Sequence, residues 1–96
     1  MNEFYRWREW YIPERMGGGI RRYVDHGIQP GDFLTAVIQN NLHESVGSAD
    51  DENRKNLPAY VSYFHQECPR ICWGSPDRMS LWMERKRKER EKKVKE

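Results

Sequence analysis

Between Tyr11 and Thr35 the chain gathers side chains whose types suit the capture of an anionic, flat ligand. Tyr11 offers an aromatic plane for stacking, and Arg21, Arg22 and His26 offer cationic donors for phosphate oxygens or base edges. Thr35 adds a hydroxyl close to the start of a predicted helix, where free backbone amides favour negative charge. Each residue also has an ordinary structural reading. Tyr11 fits a core, Arg21 and Arg22 fit a solvated helix face, and His26 fits a cation placed against a helix C-terminus. Asn40 and Asn41 suit local hydrogen bonding near a helix end.

The same stretch contains Gly17, Gly18 and Gly19 in succession. Each costs a helix ~1 kcal/mol relative to alanine. A phosphate-cradling glycine loop needs a preceding strand, and none is predicted here. The triplet instead predicts a side-chain-free turn of helix that a neighbouring backbone or a flat ligand can approach.

Catalytic spacing is absent from the sequence. His26, His43 and His65 stand far apart, and no HExxH, GxSxG or Walker pattern occurs. The chain is therefore expected not to be an enzyme. His65, Cys68 and Cys72 fall within eight residues, but a structural zinc site takes four ligands and no second pair follows. Neither a metal nor a cofactor is expected, and the two cysteines read as reduced thiols.

Helical elements are predicted to position these groups. Phe4, Tyr5, Trp7, Trp10, Tyr11 and Ile12 crowd an aromatic arm, residues 1–12, in which Trp7, Trp10 and Tyr11 have the i, i+3, i+4 spacing of one helical face. Pro13 and Glu14 open a helix to about His26, which Gly27 ends. Pro30 restarts a helix whose apolar stripe, Phe33, Leu34, Val37, Ile38 and Leu42, runs to Gly47. Ser48 caps a third helix that passes Leu57, Tyr60, Val61 and Phe64, with Pro58 forcing a kink or a split into two shorter helices. Ser75, Pro76 and Asp77 start the last helix, which dissolves into the charged tail. The fold class is accordingly all-α: one helical domain over 1–83, including the arm, and a basic tail over 84–96.

The 96 residues suffice for one domain with a modest core. The formal net charge of +2 hides an asymmetry. Residues 84–96 hold eight Lys/Arg and four Glu, leaving nine of the 17 basic and eleven of the 15 acidic residues in the rest of the chain. A duplex-tracking protein would spread its basic stripe over the folded surface, so sequence-specific nucleic-acid binding is not expected. The tail reads as a solvated helix end with i, i+4 pairs such as Glu84 with Lys88 and Glu89 with Lys93. There is no run of ~20 apolar residues for a membrane span and no signal-peptide pattern, so a cytoplasmic protein is expected.

Three blocks, IPERMGGGIRRYVDHGIQPGDFLTAVIQNNL from Ile12, ADDENRKNL from Ala49 and CWGSPDRMSLWM from Cys72, together resemble a family of small bacteriophage proteins. These are the anti-CBASS sponges, which sequester the cyclic oligonucleotide signals of bacterial antiviral immunity. The resemblance spans residues 12–83. It implies a helical protomer with a bent N-terminal helix and longer antiparallel helices, assembled as a homohexamer in the host cytoplasm. It further implies capture of cyclic dinucleotides between protomers, and of cyclic trinucleotides at separate sites, without cleavage of either. In this chain Tyr11 would stack on a base and His26 would supply the basic group. The alternative reading is a small helical phage regulator that binds a host protein or nucleic acid through the aromatic arm and the basic tail.

Overall fold

The aromatic arm is a β-hairpin, which corrects the all-α expectation. β1 (Glu3–Trp7) pairs antiparallel with β2 (Trp10–Pro13) in a computed structural model that describes residues 3–95, with side chains as far as residue 92. Aromatic and β-branched residues favour a pleated, half-buried surface. Here they fill one: Trp7 stacks on Trp10 across the strands at 5.7 Å between centroids. The hairpin turns at Arg8, which takes a positive φ of 59° without glycine or asparagine. The register slips between Glu3 and Tyr5, leaving Phe4 as a bulge residue. That bulge sends the Phe4 ring onto Gly17, where a Cβ would collide with Phe4 Cδ1.

α1 (Glu14–His26) follows at once, with Pro13 as its extended lead-in. It ends at Gly27, whose left-handed φ of 69° lets its N–H close onto the Tyr23 carbonyl. The predicted second helix is two helices, α2 (Asp32–Ile38) and α3 (Leu42–Ser48). Asn40 breaks it with φ 62°, and Asn41 restarts it by accepting the Glu44 N–H at 3.1 Å. The third predicted helix is also two, α4 (Asp51–Lys55) and α5 (Leu57–Glu67). Asp50, rather than Ser48, is the cap: its carboxylate accepts the Asn53 N–H at 2.8 Å. Pro58 sits in the first turn of α5, where its missing N–H costs no helical bond.

A short 3-10 turn at Arg70–Cys72 leads to α6 (Pro76–Lys95), which Ser75 caps by accepting the Arg78 N–H at 3.1 Å. α6 does not dissolve after Met83. It continues with Glu84 meeting Arg87 rather than Lys88 and Glu89 meeting Arg85 and Lys86, while the Lys93 side chain expected opposite Glu89 lies outside the described residues.

The core lies where α1, α2, α5 and α6 meet under the hairpin. It is built from Ile12, Ile20, Tyr23, Phe33, Leu34, Val37, Ile38, Tyr60, Phe64, Met79 and Trp82. Each large aliphatic or aromatic side chain buried there contributes on the order of 1.5–3 kcal/mol. Polar tips in this core are satisfied. Tyr23 OH donates to the Cys72 carbonyl at 2.6 Å, Tyr60 OH donates to Asn53 Oδ1 at 2.6 Å, and Trp82 Nε1 donates to the Tyr23 and Val24 carbonyls at 3.2 Å.

Candidate functional site

The five residues singled out from the sequence do not converge. Tyr11 is a structural knot between β2 and α4. Its N–H donates to Asn56 Oδ1 at 2.9 Å, its OH donates to Glu52 Oε2 at 2.6 Å, and the Arg6 guanidinium lies 5.6 Å from its ring centroid. The bond to Glu52 raises the Tyr11 pKa above its ordinary value, and the same bond, with Arg15, lowers that of Glu52. His26 is exposed at the end of α1, and its carbonyl accepts from Arg90. Thr35 turns its hydroxyl back onto the Pro30 carbonyl at 3.2 Å. Arg21 is exposed, with its guanidinium 4.8 Å from the Phe4 ring centroid.

Arg22 lines a groove. One side of that groove is a stripe of α1, Arg15, Met16, Gly19 and Arg22, at the i, i+1, i+4, i+7 spacing of a single helical face. The other side is the α1–α2 connection, Ile28 to Gly31, with Leu34 from α2. The enclosed volume is 310 Å³, at the small end of ligand sites. Gly19 forms part of the wall, where a Cβ would stand 3.4 Å from Leu34 Cδ1, an ordinary contact distance.

The two arginines of the groove differ in their electrostatic state. Arg15 is engaged, its Nη2 lying 3.0 Å from both Asp50 Oδ2 and Glu52 Oε1, and these bonds raise its pKa. The Asn53 N–H and Arg15 together lower the pKa of Asp50. Arg22 has no carboxylate within 4.0 Å among the described residues. It offers a planar fork of donors beside an apolar floor of Met16, Ile28 and Leu34, an arrangement fitted to an anion carrying a flat or apolar portion. Sequence reasoning singled out Arg22 but missed Arg15, Met16, Ile28 and Leu34. The helical spacing of Arg15, Met16, Gly19 and Arg22 was the available signal for the α1 side.

The remaining candidates stay apart from this groove. Cys68 and Cys72 are free thiols, and Cys68 is pushed up by its hydrogen bond to Cys72 and by burial. Among the described residues no three His, Cys, Asp or Glu side chains gather in a metal-binding group, and no helix is long and apolar enough to cross a membrane. No known protein family, curated protein or solved structure matches the chain.

Proposed function

We propose that this protein captures a small anionic nucleotide without converting it. The candidate ligands are the cyclic di- and trinucleotides implied by the resemblance of residues 12–83 to the phage sponges. The observation that carries the reading is the groove that Arg22, free of any carboxylate partner among the described residues, lines together with the apolar Met16, Ile28 and Leu34. A guanidinium in that state binds a phosphate without first giving up an internal ion pair. Sequestration works by mass action and needs affinity rather than reactive groups. Under this reading the protein works as a homo-oligomer in the host cytoplasm, a hexamer if the family resemblance extends to assembly. The groove then forms half of an interfacial pocket, because 310 Å³ is small for a whole cyclic dinucleotide.

Isothermal titration with cyclic GMP-AMP and with cyclic tri-adenylate tests the reading. The expected result is saturable heat for at least one ligand, intact ligand recovered after heating the complex, and a loss of at least ~10-fold in affinity for Arg22→Glu. Absence of heat from folded protein at micromolar concentration for both ligands sinks the idea. Undiminished binding by Arg22→Glu would move the ligand to another surface.

A further inference from the structure

A second surface, separate from the Arg22 groove, combines exposed aliphatic and cationic side chains. α6 presents Arg78, Leu81, Trp82 and Arg85 at i, i+3, i+4, i+7, and the 3-10 turn sets Arg70 and Ile71 beside them; together they line a depression of 400 Å³. Its floor is fixed, because Trp82 is 5 % exposed and its Nε1 is tied to two α1 carbonyls. Its rim is apolar and open: Leu81 is 69 % exposed and Ile71 is 50 % exposed. Ile71 and Leu81 thus give the depression an apolar centre beside a rigid aromatic, the make-up of an interface core.

The charged residues that line this depression are all arginines. Arg78 is held in place by donating to the Arg70 and Trp73 carbonyls at 3.4 and 3.3 Å. Arg85 lies 5.7 Å from the Trp82 ring centroid and reaches Glu89 only at 3.7 Å. Among the described residues, no carboxylate comes within 4.0 Å of Arg70 or Arg78. An aliphatic centre flanked by three arginines is complementary to an apolar stripe flanked by carboxylates.

We propose that this face docks an acidic amphipathic helix of a partner protein, whose apolar residues rest on Ile71 and Leu81 and whose carboxylates meet Arg70, Arg78 and Arg85. A second copy packed by two-fold symmetry would set the arginines of one protomer against those of the other. A nucleic-acid backbone would leave the aliphatic centre unused. A lipid surface is met by a convex face rather than by a depression.

The test uses the full chain and a fluorescein-labelled designed helix of about 18 residues, five turns, with leucine at i, i+3, i+4, i+7 and glutamate on both flanks. Two comparison peptides carry lysine in place of glutamate, or glutamate without leucine. Fluorescence anisotropy should show the acidic amphipathic helix binding at least ~10-fold more tightly than either comparison peptide, with Leu81→Ser weakening it ~10-fold. Because Leu81 is exposed, Leu81→Ser should leave the circular dichroism unchanged, and Arg22→Glu should bind the helix as the native chain does. Failure of the acidic helix to bind, equal binding of the three peptides, or indifference to Leu81→Ser overturns the proposal. So does tighter binding of an oligothymidylate or of phosphatidylserine vesicles that Leu81→Ser leaves unchanged.

Discussion

At Gly17 the absence of a side chain is what lets the hairpin lie on α1. The Phe4 ring occupies the space that a Cβ would take, with Cδ1 in collision and Cε1 and Cγ at 3.0 Å. Gly18 is exposed, and a Cβ there would meet only the mobile end of the Arg22 side chain, with Nη1 at 3.2 Å. The three glycines thus divide their work: Gly17 seats the hairpin, Gly19 seats Leu34, and Gly18 faces solvent. Gly17→Ala gains ~1 kcal/mol of helix propensity but must push an aromatic ring out of a half-buried site, costing ~1–3 kcal/mol. The net expectation is destabilisation, because Phe4 is held on its far side by Tyr63 at 5.2 Å between centroids. Gly18→Ala should instead be neutral or stabilising. Urea unfolding of the two variants beside the native chain checks this, and equal midpoints for both would remove the packing account of the triplet.

Asn56 governs how two elements meet. It is 2 % exposed at the junction of α4 and α5, where its Oδ1 accepts the Tyr11 N–H at 2.9 Å and its Nδ2 donates to the Glu52 carbonyl at 3.0 Å. One side chain therefore ends α4 and receives β2. Asn56→Ala leaves a half-buried strand N–H and a helix carbonyl without their partner, costing about 1–3 kcal/mol in all. It should lower the unfolding free energy by that order in urea titration while far-ultraviolet circular dichroism at low denaturant keeps its helical form. At this scale the helices were legible and the strands were not. Pro13, Gly27, Ser75 and Pro76 announce helix ends by local stereochemistry; α1 begins and ends accordingly, and α6 begins so but runs on past its expected end near Met83. The hairpin turns at Arg8 without the Asn-Gly or Asp-Gly pair that marks a two-residue turn, so the spacing of Trp7, Trp10 and Tyr11 reads equally well as helix. Likewise the Arg22 groove depends on where Ile28 to Gly31 fold back, and no local rule states that from a Gly-Ile-Gln-Pro link.

Over the whole molecule α6 is both wall and extension, and the boundary between these roles is not where the charge run begins. The predicted tail starts at residue 84, yet Lys86 lies across Gly27 and holds its ammonium 4.9 Å from the Trp82 ring centroid. Its side chain is 19 % exposed, so its methylene stem acts as core cover. Arg90 then donates to the His26 carbonyl, capping a carbonyl that α1 leaves without an intrahelical partner. Beyond Arg90 the described contact is the exposed pair of Arg87 with Glu91, of a kind that contributes little and is screened by salt. Two truncations separate the roles. Ending the chain after Arg90 should change the unfolding free energy by less than about 1 kcal/mol. Ending it after Met83 removes the Lys86 cover and the Arg90 cap together, and should cost about 2–4 kcal/mol through lost packing and an unpaired carbonyl. Urea titrations at low and high salt measure both. The smaller loss should shrink further in high salt, whereas the larger should persist there because most of it is burial rather than charge. Equal losses for the two truncations would make residues 84–90 ordinary tail and leave the α1–α6 contact to Trp82 and Met83.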